Sequence, residues 1–138
     1  MTLGAAVAVT TVILHGHPQR LHQYGPPTGR PVIVASGDGG WVHLAPHLAQ
    51  QLAARGFRVT GFDAKAYLSA GTTSGAALDV KDVQSDIGML IELAGESPAR
   101  PLLIGVSEGA GLAVLAAADP KVRDRIAGVA AFGLEIGR

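Results

Sequence analysis

The segment Gly105-Val106-Ser107-Glu108-Gly109 sets one serine hydroxyl between two glycines. It follows the apolar run Leu102-Leu103-Ile104 and precedes a small-residue stretch, Gly109 to Ala118. Strand, sharp turn and helix in that order make a nucleophile elbow, which exposes a serine for acyl transfer at the top of a parallel sheet. Glycines flank it because the turn is strained and the helix must pass close to the strand. A helix N-terminus on which Ser107 serves only as a cap would show the same residues.

A second element has matching chemistry. Ser36-Gly37-Asp38-Gly39-Gly40-Trp41 lies between the apolar run Val32 to Ala35 and a helical segment that begins at Leu44. A loop at this place in an elbow-bearing sheet supplies an oxyanion-hole N–H, and the residue after the nucleophile supplies the other. The expected donors are the backbone of Ser36, Gly37, Asp38, Gly39 and Gly40, with Glu108. Pre-aimed N–H groups of this kind stabilise the developing oxyanion. The competing reading is a tight βα turn that needs positive φ. The Gly-x-x-x-x-Gly-Lys pattern of a phosphate loop is absent.

The other polar residues point to less. All five histidines, His15, His17, His22, His43 and His47, precede Ser107, whereas this fold orders its triad serine, acid, histidine. His43 and His47 stand one helical turn apart without the His-Glu-x-x-His glutamate, so a solvated helix face is expected rather than a metal site. No metal or cofactor is expected. Asp63 ends a strand, where it either caps the next turn or touches substrate. Asp79, Asp82 and Asp86 are expected on the exposed side of their helix, and Asp119 and Asp124 at the end of another.

The elements that must position these residues alternate. A strand is expected over Val7 to Leu14, a turn over His15 to Pro18 and a short strand over Arg20 to Tyr24. Next come strand Val32 to Ala35, helix Leu44 to Ala54, strand Phe57 to Phe62 and a polar loop over Ser69 to Gly75. Leu78 to Ala94 is the best amphipathic helix, with Val80, Val83, Ile87, Leu90, Ile91 and Ala94 at helical spacing. Strand Leu102 to Val106, a helix to Ala118 and strand Ile126 to Phe132 complete the pattern. Strands without alternation, separated by helices, imply a mostly parallel sheet covered on both faces, with an antiparallel N-terminal edge hairpin. With the elbow after a central strand, this is an α/β-hydrolase-like arrangement in a single domain, 1–138.

Composition agrees. The 138 residues are 48% hydrophobic and 16% charged, enough for a core of small residues. Zero net charge argues against a nucleic-acid surface, and the absence of cysteine excludes a thiol nucleophile. No apolar run has the length of a membrane span. Leu3 to Leu14 has the length of a signal h-region, but neither Lys nor Arg precedes it, so it reads as a strand or a remnant export signal.

Several of these segments resemble one family. Ser36 to Trp41, Leu48-Ala-Gln-Gln-Leu-Ala-Ala-Arg-Gly56, Gly61-Phe62-Asp63, Tyr67 and Leu103 to Ala110 are similar to the bacterial virulence proteins of the VirJ and AcvB type, over roughly Pro31 to Phe132. The resemblance implies an α/β-hydrolase fold and export to the periplasm. It implies action on an ester, with hydrolysis of lysyl-phosphatidylglycerol, an aminoacyl ester of a membrane lipid, associated with the AcvB members. Residue by residue, it makes Ser107 the nucleophile and the Ser36–Gly40 backbone with Glu108 the oxyanion site, with Trp41, Asp63 and Tyr67 as substrate-pocket candidates. Gly111 departs from the aspartate that many members carry after the elbow. The segment that would hold the acid and the histidine is not in the sequence.

Two functions follow as expectations. One is a serine hydrolase that forms an acyl-enzyme on Ser107 with an ester or lipid-headgroup substrate, the triad acid and histidine lying outside this chain. The other is a non-catalytic periplasmic binding or secretion-accessory protein with a secretion-system partner. On the first reading these 138 residues alone are expected to be a weak, poorly soluble catalyst, with Ile126 to Phe132 an unprotected apolar edge.

Overall fold

The computed structural model describes residues 8–73, 78–94 and 99–133. β1 (Ala8–Leu14) and β2 (His17–Tyr24) form an antiparallel hairpin. Its two turn residues, His15 and Gly16, have φ of 53° and 77°. Positive φ at both positions matches the right-handed strand twist, and glycine at the second keeps it cheap. β2 pairs antiparallel with β4 (Arg58–Phe62). From there the sheet is parallel: β4 pairs with β3 (Pro31–Ala35), β3 with β5 (Leu102–Val106), and β5 with β6 (Gly128–Phe132). The order is β1-β2-β4-β3-β5-β6, with the antiparallel edge that the β-branched N-terminal run predicts.

All five residues of β3 are buried, as a strand covered on both faces requires. Val32 and Val34 face one core with Tyr24, Val59, Ile104 and the Ala45 and Ala49 side of α1 (Leu44–Ala54). Ile33 and Ala35 face the other, with Phe62, Leu103 and the helices α2 (Ala64–Thr73), α3 (Val80–Ala94) and α4 (Glu108–Ala117). A short α5 (Pro120–Arg123) follows, with Asp119 as its cap through Lys121 N–H. α4 reads as small and apolar nearly all round because it is wedged against β3, β5 and β6.

Three expectations change. The polar loop over Ser69 to Gly75 is helix as far as Thr73; Gly75 lies outside the described residues. Ser, Gly and Thr read as loop, but Asp63 accepts from Ala66 N–H at 2.9 Å and Ser36 Oγ accepts from Ala64 N–H at 3.0 Å, so the helix start is held by caps. Asp86 is not on an exposed face; it is 4% exposed. The elbow-side strand begins at Gly128 rather than Ile126. β6 ends the sheet among the described residues, with Val129 and Phe132 exposed. Residues 1–7, with the start of the apolar stretch Leu3 to Leu14, lie outside the described residues. No helix among the described residues is long and apolar enough to cross a membrane.

Candidate active site

β3 and β5 are adjacent and parallel, so the loops leaving their carboxyl ends meet. Ser107 is the single residue between β5 and α4. Its backbone sits at φ 55° and ψ −114°, a costly conformation for a residue with a side chain. The surroundings hold it there. Ser107 N–H donates to Phe132 O at 2.7 Å, at the end of β6, and Ala110 N–H donates to Ser107 O at 2.9 Å. Gly105 and Gly109 allow the close approach: a Cβ on Gly105 would lie 2.2 Å from Gly109 O, and one on Gly109 2.4 Å from Ala35 O. Although Ser107 occupies the N-cap position, its side chain makes no cap hydrogen bond, and the residue is exposed. The cap reading therefore fails. The hydroxyl stands over the positive end of α4, whose first N–H groups have no carbonyl partner inside the helix.

The glycine-rich loop lies directly opposite. A Cβ on Gly37 would be 3.3 Å from Ser107 Cβ. Gly40 N–H donates to Gly37 O at 3.1 Å, closing a tight turn with Gly40 at φ 87°. The loop is thus a tight βα turn that faces the serine, and Gly40 N–H is engaged within that turn. The donors divide unevenly. Ser36 N–H donates to Phe62 O at 2.9 Å, and Trp41 N–H to Asp63 Oδ2 at 3.3 Å. Ser36 is fully buried and its hydroxyl caps α2, so it supports the loop and offers no donor to a substrate. Gly37, Asp38 and Gly39 of the loop, with Glu108 across from them, keep N–H groups that none of these bonds engages.

The three pocket candidates separate. Asp63 uses Oδ1 on Ala66 N–H and Oδ2 on Trp41 N–H, so it ties α2 to the loop. Trp41 lies flat over Gly61, where a Cβ would come within 2.2 Å of its ring. It stacks on His22 at 5.1 Å and 7°, and its Nε1–H donates to Tyr24 OH at 3.0 Å. Trp41 and Asp63 both line a cavity of about 610 Å³ beside the loop. Tyr67 does not. It is buried in the core, and its hydroxyl donates to Asp86 Oδ2 at 2.5 Å.

That last bond belongs to a cluster the sequence reading missed. His15 Nδ1 lies 2.7 Å from Asp86 Oδ2, and His15 Nε2 lies 2.9 Å from Asp82 Oδ1. Hydrogen bonding to Asp86 raises the pKa of His15. Asp82 is lowered, first by the N–H that joins it to Asp79. Burial, then Asp86, pushes the Tyr67 phenol far above its ordinary range. His15 has both ring nitrogens engaged, so it cannot serve Ser107 as a base. A signal did exist: Asp86 falls on the buried stripe of α3, among Val83, Ile87 and Leu90. His22 is lowered by burial; Asp63 opposes that shift and Arg20 adds to it. His43, the N-cap of α1, repeats the backbone of Ser107 at φ 61° and ψ −115°, and it and His47 are exposed.

Comparison with known proteins fits this geometry. The chain resembles a thioesterase domain from the curacin biosynthetic pathway (21% identity, TM-score 0.69), covering 95% of this chain and 47% of that one. It resembles a membrane phospholipase A described as a bacterial virulence factor (18%, 0.69), covering 93% and 40%. A cold-adapted esterase from an Arctic intertidal metagenomic library is also similar (18%, 0.63), covering 89% and 58%. The chain therefore spans about half the length of these structures, and at such identities the likeness is one of fold, that of the α/β-hydrolases. No curated protein sequence matches. The profile described as bacterial virulence protein (VirJ) matches residues 30–136. An elbow serine facing a glycine-rich turn, on this sheet and within that match, leads to one conclusion: the chain belongs to the VirJ family of bacterial virulence proteins.

Proposed function

We propose that the protein is a serine hydrolase acting on an ester through an acyl-enzyme on Ser107. The observation that carries this reading is the strained, exposed Ser107, which caps nothing and faces Gly37. Its Oγ attacks the ester carbonyl, and the bond to the leaving alkoxide breaks as the acyl group transfers to Ser107; water then releases the acid. The N–H groups of Glu108 and of Gly37 to Gly39 stabilise the oxyanion. A general base and its acid partner, which follow the serine in this fold, are supplied from outside the described residues. An aminoacyl-phospholipid is the substrate class that the family resemblance favours, in a periplasmic setting.

One observation favours a second reading, a non-catalytic periplasmic binding or secretion-accessory protein. The described histidine best set against carboxylates, His15, is committed to Asp82 and Asp86 rather than to Ser107. A fluorophosphonate probe applied to the protein as its gene encodes it separates the two. Labelling of wild type that vanishes in a folded Ser107→Ala variant supports the hydrolase. Equal labelling of both refutes Ser107, and labelling of neither supports the binding protein.

A further inference from the structure

The loop that faces Ser107 is tied at both ends to one short stretch of chain. β3 and β4 are parallel neighbours with Ala35 opposite Phe62, so the loop after β3 and the helix after β4 start side by side. Ser36 N–H donates to Phe62 O at 2.9 Å, and Ser36 Oγ accepts from Ala64 N–H at 3.0 Å. At the other end Asp63 Oδ2 accepts from Trp41 N–H at 3.3 Å, while Oδ1 accepts from Ala66 N–H at 2.9 Å. The caps are thus crossed: the first residue of the loop caps α2, and the residue before α2 caps the last residue of the loop. Gly40 makes room for this, since a Cβ on it would lie 3.3 Å from Asp63 Oδ2. Trp41 is held further by its seat over Gly61 and its stack on His22.

Between the two fixed ends lie Gly37, Asp38 and Gly39. Asp38 and Gly39 are exposed, so little packing holds them, and the direction of their N–H groups follows from where the ends are fixed. Donors of this kind work only when held within about 0.5 Å of their productive place, and a misplacement of about 1 Å costs about a hundredfold in rate. The sign of the effect identifies its cause. A fixed negative charge near a developing oxyanion repels it, so a carboxylate that lent only its charge would slow the reaction, and neutralising it would speed the reaction. A carboxylate that holds the donors in place does the reverse: its loss slows the reaction.

We propose that Asp63 is a positioning residue for the oxyanion loop. With the Ser36 hydroxyl it locks the loop to the start of α2, and so aims the N–H groups of Gly37 to Gly39 at a carbonyl on Ser107 without touching substrate. The effect on rate rests on the hydrolase reading; the lock does not. Asp63→Asn keeps the size of the side chain but only one acceptor oxygen, so one of the two bonds is lost. Fluorophosphonate labelling is followed over a range of probe concentrations, which separates the maximal rate from the concentration that gives half of it. Backbone order parameters of Gly37 to Gly39 are measured by NMR in the same variants of the protein as its gene encodes it. Tyr67→Phe, on the same helix but bonded to Asp86 rather than to the loop, controls for general destabilisation.

At saturating probe Asp63→Asn should label more slowly by about tenfold or more, with the half-saturating concentration unchanged and the order parameters of Gly37 to Gly39 reduced. Tyr67→Phe should change none of the three. Ser36→Ala should repeat the slowing, and the double variant should lose little more than either single one, because both bonds hold one joint. Where Asp63→Asn fails to fold, Ser36→Ala carries the same test. Labelling of Asp63→Asn as fast as wild type, or faster, overturns the proposal, as do unchanged order parameters or equal slowing by Tyr67→Phe. A rise in the half-saturating concentration alone overturns it in favour of a substrate contact. Wild type that resists the probe refutes the hydrolase reading, and the order parameters then decide the lock by themselves.

Discussion

Ser107 and Tyr67 both carry a hydroxyl near the carboxyl end of the sheet, each within a turn of a helix start. Tyr67 is 2% exposed and donates to Asp86, which also holds His15. Ser107 is exposed, strained, and caps nothing. In residue types the buried cluster looks more like a catalytic constellation, since it has a hydroxyl, a histidine and two aspartates. Its bonding says otherwise. Both nitrogens of His15 and the Tyr67 hydroxyl are engaged, and among the described residues no buried side-chain polar atom lacks a partner. A saturated network stabilises and orients, whereas Ser107 keeps an uncapped hydroxyl on a strained backbone, the feature on which the proposed hydrolase reading rests. His15 also ties the β1–β2 turn to α3, in addition to the pairing of β2 with β4.

The largest effect on stability should come from breaking the saturated side. Asp86→Ala leaves the Tyr67 hydroxyl buried without its acceptor and should cost about 2–3 kcal/mol in chemical denaturation. Tyr67→Phe, which leaves Asp86 its bond to His15, should cost about 1 kcal/mol. Equal losses in the two variants would mean that Asp86 is not the hub.

The strained side should respond in the opposite direction. Ser107→Gly removes the side chain that opposes φ 55° and should stabilise by about 1 kcal/mol, after the entropy penalty of glycine. A lower melting temperature for this variant would show that the elbow stores no strain.

The smallest effect is one of pH. His15 has a raised pKa, chiefly through its bond to Asp86, so its contribution is complete below its ordinary 6.5 and is lost as pH rises through the folded value. His15→Asn also tolerates a left-handed backbone. The gap in melting temperature between wild type and this variant should therefore narrow from about pH 6 to about pH 9. A constant gap would assign the effect of His15 to its turn rather than to its charge.

The candidate site was legible where chemistry is local. Gly105 to Gly109 and Ser36 to Trp41 announce themselves because a strained turn and a close backbone approach demand glycine at fixed offsets. Trp41 and Asp63 were placed near the site, but the work that Asp63 does, joining α2 to the loop, depends on Trp41 and Ala66 at once. Tyr67 went astray because its partner Asp86 lies 19 residues on, and the other partner of Asp86, His15, lies 71 residues before Asp86. Ser36 was read as an oxyanion donor because the glycine run begins at it; its hydroxyl turned out to cap a helix 28 residues away.

By itself, the sequence determined the alternation of buried strands and amphipathic helices, and with it the parallel sheet, the elbow and the loop. Those follow from periodicity and backbone sterics, which act within a few residues. Only the tertiary structure decided which polar groups are satisfied. Whether Asp86 is exposed or buried, whether Ser36 donates or caps, and whether Tyr67 lines the pocket or packs in the core all depend on residues far apart in the chain. Hydrogen-bond partners and desolvation are properties of the packed molecule, and no local pattern encodes them.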